Sequence, residues 1–322
     1  MFWKTTVSLL RRLVLAAAVS GPSILPLAAS ADIEADVQAA MATAQAGDVQ
    51  GAHRMFTEII QSGQLPGDRL AVIYFNRGVS RQLLGDLNGA LGDFDEAVRL
   101  APTYADALYN RGETLMVMGR PHAALNDFEA VILLQPNVLD ARVSRGDAFA
   151  AIDRPKEAID AYTDALERDP TQVYAYVGRA RAWRSAGDLA RAVTDYVAAL
   201  AIEPGDADLM AERGTVLAEL GDLESALKDF NRVLGHDPDQ TGALFGRGMV
   251  YGQQGEYQLA LADFNHLIEI LPDLGDAYFA RGLARMALGD EVGAEEDFMA
   301  AYVNGADNPR LDAILKERGI IE

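Results

Sequence analysis

An arginine followed by a small residue recurs with a strict period of 34 residues, and this period constrains the fold more than any other feature of the sequence. The arginines are Arg77, Arg111, Arg145, Arg179, Arg213, Arg247 and Arg281. Glycine follows each of them except Arg179, which is followed by Ala180. Repetition at a fixed period is typical of arrays in which each unit buries its apolar face only against its neighbours. We therefore expect a chain of repeated units and not one large core.

Other positions of the 34-residue unit are equally constant. We place position 1 at Ala71, Ala105, Leu139, Val173, Ala207, Thr241 and Gly275, so that the arginine is position 7 and the small residue is position 8. Position 20 is always alanine. Position 24 is always aromatic, at Phe94, Phe128, Tyr162, Tyr196, Phe230, Phe264 and Phe298. Position 15 is glycine except for Asp153, and position 32 is proline except for Ala306.

These residues resemble the tetratricopeptide repeat, a helix-turn-helix unit of the same length with small, aromatic and proline residues in this register. The resemblance spans residues 71–308 without a gap. It implies an all-α, right-handed superhelical solenoid of antiparallel helix pairs. Members of this family generally hold extended or helical peptides on the concave surface that the first helices form.

The chain ends divide into three further segments. Residues 1–31 resemble a secretory signal, because Lys4, Arg11 and Arg12 precede an apolar run and small residues precede Asp32. An uncleaved anchor is the alternative. Residues 32–70 read as a degenerate N-terminal repeat followed by a linker, and residues 309–322 read as a C-terminal capping helix that shields the last of the seven repeats.

The arginine at position 7 is unusual, because this position is normally apolar in the family. Aspartate stands at position 23 in six repeats, and Ala161 replaces it in the third. A partly buried guanidinium requires a carboxylate, so we expect an arginine–aspartate ladder between the two helices of each repeat. The ladder residues are Arg77 with Asp93, Arg111 with Asp127, Arg179 with Asp195, Arg213 with Asp229, Arg247 with Asp263, and Arg281 with Asp297. Arg145 lacks this partner. We therefore expect either a less stable third repeat or an unpaired Arg145 guanidinium that is available to a ligand.

At about 100° per residue, positions 2, 5, 9, 12 and 13 of the first helix lie opposite its packing face. We expect these positions to form a partner-binding groove, the alternative being a merely solvated face. The candidate residues are Phe75, Asp106, Tyr109, Glu113, Asp140, Asp147, Arg181, Arg184, Phe245, Met249, Phe279 and Leu283. They predict a protein or peptide partner with basic residues near repeats two and three and an apolar anchor near repeats six and seven.

Charge and composition exclude several classes of function. The formal net charge of −20 opposes binding to nucleic acid. Cysteine is absent, which excludes disulfides, thiolate catalysis and a lipidated cysteine. The four histidines lie in separate repeats without the spacing of a metal site, and no phosphate loop or hydrolase motif occurs. We therefore expect no enzyme activity, no cofactor and no metal.

Together these features predict a scaffold or adaptor for protein–protein interaction, exported to the periplasm or cell envelope of a bacterium, with no membrane span once the signal is removed. The alternative is a structural envelope protein that assembles into homo-oligomers through its end helices.

Overall fold

A computed structural model describes residues 31–318 and residue 321. The predicted secretory signal lies outside these residues, apart from Ala31. The described residues form seventeen α-helices and no strand, which confirms the predicted all-α fold. None of the described helices combines the length and the apolar composition that a membrane-spanning helix needs.

The described residues divide into two compact units, with the boundary between Pro170 and Thr171. The first unit contains α1 Ala31–Gln45, α2 Val49–Ser62, α3 Gly67–Leu83, α4 Leu87–Leu100, α5 Ala105–Val117, α6 Pro121–Leu134, α7 Leu139–Ala151 and α8 Pro155–Arg168. The second contains α9 Val173–Ser185, α10 Leu189–Ile202, α11 Ala207–Leu220, α12 Leu223–His236, α13 Thr241–Gln254, α14 Tyr257–Ile270, α15 Gly275–Ala287, α16 Glu291–Val303 and α17 Pro309–Glu317. Each 34-residue repeat is one helix pair, so the odd-numbered helices from α3 to α15 are the first helices and the even-numbered ones from α4 to α16 are the second helices.

The turn inside each repeat follows from two sequence positions. Position 15 has a positive φ in the third repeat, where Asp153 adopts φ 55°, and glycine supplies this conformation in the others. Glycine adopts such angles without the steric cost that a side chain brings. In the first, fourth, fifth and seventh repeats the second helix then starts with an aspartate cap, as at Asp86, whose side chain accepts a hydrogen bond from the Gly89 N–H. In the second and third repeats, Pro121 and Pro155 occupy the first helical turn instead.

Small residues allow the two helices of a repeat to approach closely. The alanine at position 20 is fully buried in every repeat, and the aromatic ring at position 24 is buried beside it. The ring lies on the glycine at position 8, since a Cβ on Gly112 would come within 2.7 Å of the Phe128 ring. Repeated across the array, this contact explains why position 8 is small.

The N-terminal segment contains the helix pair α1 and α2, with Gly47 in the turn and Ala52 and Phe56 buried at the equivalent positions. The linker at the end of the predicted segment 32–70 is short. Helix α2 continues to Ser62 and helix α3 starts at Gly67, after Pro66 as its N-cap. The four residues that precede the regular frame therefore extend α3 by one turn.

At the C-terminal end of the second unit, helix α17 spans Pro309–Glu317. Its Leu311 and Leu315 are fully buried against Phe298 and Ala301 of the last repeat. Burial of these two leucines covers apolar surface that a further repeat would otherwise cover.

Candidate partner-binding surfaces

The first helices form the inner surface of each unit. Helix α5 contacts both α3 and α7 in the first unit, and helix α13 contacts both α11 and α15 in the second. Side chains at positions 2, 9 and 13 of these helices are the most exposed along this surface. Examples are Asp140 and Asp147 in the first unit and Asp208 and Met249 in the second.

The aromatic residues at position 5 do not face this surface as expected. Phe75 and Phe279 are only 6% and 8% exposed, and Tyr109 and Phe245 are half-buried. Each of these four rings packs against the position 24 ring of its own repeat, and the Phe75 and Phe94 ring centroids are 6.0 Å apart. The first helix is covered on three sides, by its own second helix and by both neighbouring repeats. Position 5 lies one turn from the packed position 8, so it falls inside the covered arc.

The inner surface of the first unit is acidic. Positions 2, 6, 9, 12 and 13 of α3, α5 and α7 carry four carboxylates and no lysine or arginine. Asp140 and Asp147 are exposed, Asp106 is half-buried and Glu113 is buried. Burial raises the pKa of the Asp106 carboxyl.

Below these carboxylates lies a layer of buried polar side chains. Gln82 Nε2 donates to Thr114 Oγ1 at 2.6 Å, and that hydroxyl donates to the Asn110 carbonyl at 2.7 Å. The Tyr162 hydroxyl donates to Asp147 at 2.6 Å. Sequence periodicity showed no sign of this layer, because positions 6, 10 and 12 vary from one repeat to the next.

Buried polar groups are normally paired, and one atom of this layer is an exception. Within the described part of the chain, the buried Gln82 Oε1 accepts no hydrogen bond. Its side chain is held by the bond from Nε2 to Thr114.

The predicted basic stretch of the second unit is neutralised within the chain. Arg181 forms two hydrogen bonds to Glu212, including Nε to Oε2 at 2.8 Å, and Arg184 pairs with Glu219. The Glu212 carboxylate also accepts a hydrogen bond from the Tyr196 hydroxyl. These hydrogen bonds raise the pKa of both guanidinium groups. Arg181 and Arg184 therefore connect successive repeats and are not free for a partner.

The apolar part of the second unit's inner surface is smaller than predicted. Met249 is exposed, and Leu283 and Met286 are half-buried. Leu283 and Met286 pack against the core cluster of the last repeat, as does Ile321 of the C-terminal segment. Met249 is therefore the main exposed apolar side chain of the predicted patch.

The arginine–aspartate pairs at positions 7 and 23 are present in six repeats. In each, Nε and Nη2 donate to the two carboxylate oxygens, as for Arg111 and Asp127 at 2.9 and 2.6 Å. The same geometry occurs for Arg77–Asp93, Arg179–Asp195, Arg213–Asp229, Arg247–Asp263 and Arg281–Asp297. The aspartates are buried and the arginines half-buried, so the pairs join the two helices of a repeat below its surface.

The third repeat has a different network. Arg145 Nη2 lies 3.6 Å from Asp164, a residue of α8 that also pairs with Arg142 and Arg168. Arg145 lacks the position 23 aspartate, as the sequence shows, but a carboxylate is near it, because Asp164 lies on α8 one turn after Ala161. Sequence reasoning missed Asp164, Arg142 and Arg168, since none of them belongs to the recurring pattern.

Comparison with known proteins gives the family. The family model described as tetratricopeptide repeat matches residues 109–173, 151–207 and 211–274, which together cover half of the chain. No curated protein matches the chain.

Solved structures share the fold at low sequence identity. A tetratricopeptide repeat protein from Parabacteroides merdae is 19% identical, with 79% of this chain and 99% of that chain covered and a TM-score of 0.63. A chain of the APC/C hetero-tetramer Cut9–Hcn1 is 17% identical, with 96% and 58% covered and a TM-score of 0.60. MamA from Desulfovibrio magneticus RS-1 is 20% identical, with 56% and 99% covered and a TM-score of 0.52. On the matched repeats, the chain belongs to the tetratricopeptide-repeat family.

Proposed function

We propose that the protein is a non-catalytic adaptor and that the inner surface of its first unit binds a basic segment of another protein. The observation that carries this proposal is the unbalanced charge of that surface. Its inner positions on α3, α5 and α7 hold the solvent-accessible carboxylates of Asp106, Asp140 and Asp147 without any lysine or arginine. A partner that supplies ammonium or guanidinium groups would complement this charge.

The burial of Asp106 supports the same assignment. Its carboxyl pKa is raised because burial disfavours the charged form. A cationic side chain bound beside it would stabilise the carboxylate. Asp140 and Asp147 are exposed and lie on the next first helix, where the same segment would reach them.

A short apolar contact on the second unit is also part of the proposal. Met249 is exposed on α13, and methionine adapts to irregular apolar surfaces. Phe279 is buried and Phe245 is half-buried, so Met249 replaces this aromatic pair as the anchor.

We place the adaptor in the bacterial periplasm or cell envelope, on the basis of the signal-like sequence of residues 1–31. Mass determination of the protein recovered from its source would show whether it begins near Asp32. A retained N-terminus would favour an anchored form.

The binding proposal is tested with a labelled octalysine peptide, a neutral glycine–serine peptide of equal length as its control, and fluorescence anisotropy. The double variant Asp106→Asn, Asp140→Asn should weaken octalysine binding about two- to thirtyfold, since each exposed ion pair contributes about 0.2–1 kcal/mol. The control variant Glu58→Gln, Glu269→Gln removes two exposed carboxylates, from α2 and α14, and should bind as the wild type does. An equal loss of octalysine affinity in both double variants would show that binding depends on the net charge of the protein and not on the inner surface.

Self-assembly is the second candidate, and the last second helix supports it. Val292, Met299 and Val303 are exposed on α16 at a spacing that places them on one stripe, with the exposed Tyr302 beside them. Sedimentation velocity across a hundredfold range of concentration separates the two functions. A monomer throughout contradicts self-assembly, whereas an oligomer that Val303→Glu dissociates supports it.

A further inference from the structure

One cluster of side chains in the third repeat holds more guanidinium groups than carboxylates. Three arginines, Arg142, Arg145 and Arg168, converge on the single carboxylate of Asp164. In the first repeat, by contrast, two arginines share two aspartates, because Arg81 contacts both Asp86 and Asp93. The seventh repeat has the same balance, with Arg281 and Arg285 on Asp290 and Asp297.

The imbalance arises from one residue. Ala161 stands at position 23, where six repeats have the aspartate that accepts two hydrogen bonds from the position 7 arginine. The buried Arg145 Nε has no hydrogen-bond partner among the described residues, as is also true of Arg81 Nε in the first repeat. Leaving such a donor without a partner is costly.

Asp164 does not replace the missing aspartate. Its Oδ2 atom accepts a hydrogen bond from Arg142 Nε at 2.7 Å and lies 3.6 Å from Arg145 Nη2, beyond hydrogen-bond distance. Its Oδ1 atom lies 3.1 Å from Arg168 Nη2. Arg142 is buried, and its Nη1 donates to the Val138 carbonyl. Arg145 and Arg168 therefore share the Asp164 carboxylate with Arg142, which already forms a hydrogen bond to it.

A second nearby carboxylate does not fill the gap either. Glu129 stands at position 25 of the preceding repeat, and its counterpart Asp95 pairs with Arg111 at 2.9 Å. Among the ion pairs of the described residues, none joins Glu129 to Arg145. The side chains of Arg145 and Arg168 are 23% and 46% exposed, so solvent and solutes reach them.

We propose that this cluster binds an oxyanion, either a free phosphate or a carboxylate of a protein partner, through Arg145 and Arg168. The guanidinium of Arg145 is the same planar fork that holds a carboxylate in six other repeats, and arginine forks suit carboxylate and phosphate oxygens alike. The cluster lies at positions 4, 7, 26 and 30, apart from the inner positions that form the acidic surface. It is thus independent of the basic-segment site proposed above.

Ala161→Asp provides the test, because it supplies the carboxylate in the position that six repeats use. The probe is inorganic phosphate at constant ionic strength, and the readout is the thermal unfolding midpoint of the whole protein. The wild-type midpoint should rise with phosphate concentration, since a ligand that binds only the folded state stabilises it. Ala161→Asp should start from a higher midpoint and lose at least nine-tenths of the phosphate-dependent rise.

Two further variants separate loss of the site from a general change of charge. Arg145→Gln removes the fork itself and should also abolish the rise. Ala190→Asp makes the same charge change at an exposed position of α10 and should keep the wild-type response.

A hexaglutamate peptide and its hexaglutamine counterpart identify the source of the oxyanion. If hexaglutamate binds the wild type at least tenfold more tightly than Ala161→Asp, the site accepts protein carboxylates. If phosphate alone shows this difference, the site takes a free anion. A wild type that responds to neither probe, or an Ala161→Asp variant that responds as the wild type does, overturns the proposal.

Discussion

Arg111 offers a direct measure of how burial sets the contribution of an ion pair, because it contacts two carboxylates. Asp127 lies inside the repeat with its side chain 5% exposed, whereas Asp95 of the preceding repeat is 57% exposed. Both contacts are short, with Nη2 to Asp127 at 2.6 Å and Nη1 to Asp95 at 2.9 Å. Distance alone would therefore rank the two pairs as similar.

Because Asp127 is buried and Asp95 is exposed, we expect Asp127→Ala to lower the free energy of unfolding much more than Asp95→Ala does. Removal of one partner from a buried pair costs about 3–5 kcal/mol, because the other charge stays buried without compensation. Arg111 is itself 22% exposed and keeps Asp95, so we expect about 2–3 kcal/mol for Asp127→Ala. Asp95→Ala removes a solvated pair and should cost at most about 1 kcal/mol.

Within its own repeat, no carboxylate replaces Asp127 in the Asp127→Ala variant. The third repeat has Asp164 three residues after Ala161, whereas the second repeat has Ala130 at the corresponding place. The Asp127→Ala protein would therefore leave Arg111 with the exposed Asp95 of the preceding repeat as its carboxylate partner.

The assay is urea unfolding followed by circular dichroism at 222 nm, with an unchanged m-value as the condition for comparing free energies. Repeat arrays can unfold in parts, so amide hydrogen exchange in α5 and α6 should report the local loss as well. Equal costs for the two variants, or a larger cost for Asp95→Ala, would refute the burial argument.

Three further predictions concern single residues and are checked by the same unfolding measurements. A Cβ on Gly246 would meet the Phe230 ring at 2.4 Å, so Gly246→Ala should destabilise the protein by about 1 kcal/mol even after the gain in helix propensity. Gly92 has open space around it, so Gly92→Ala should stabilise the protein by about 0.5–1 kcal/mol. Asp153 holds φ 55°, so Asp153→Gly should stabilise by up to about 1 kcal/mol, and a loss of stability would contradict the strain. Burial raises the pKa of Asp106, so the folded state holds the carboxyl proton more tightly than the unfolded state does. The resulting contribution to the free energy of unfolding is complete below about pH 3.9 and is lost as the pH rises through the folded-state pKa. Asp106→Asn should remove this pH dependence of stability.

The sequence was sufficient to predict the helix pairs. Glycine at position 8 and the aromatic residue at position 24 recur because each ring lies on the glycine of its own repeat, as Phe128 lies on Gly112. Such contacts join residues at a constant separation within one repeat, so the period of the sequence reports them directly.

Contacts between repeats were harder to predict. Arg181 and Arg184 read as a free basic stretch, but their partners Glu212 and Glu219 lie 31 and 35 residues further along the chain. Predicting these pairs requires knowledge of how one repeat is aligned against the next. A helical wheel describes a single helix and gives no information on this alignment. The burial of Phe75 was missed for the same reason, because a wheel shows one packing face and the first helix has three.

The acidic inner surface of the first unit is tested most directly by selecting peptides from a random displayed library on the wild-type protein, with counter-selection on the Asp106→Asn, Asp140→Asn variant. We expect the recovered peptides to be enriched in lysine and arginine and to lose affinity for the variant. Recovery of peptides without basic residues, or of basic peptides that bind the variant equally well, would contradict it.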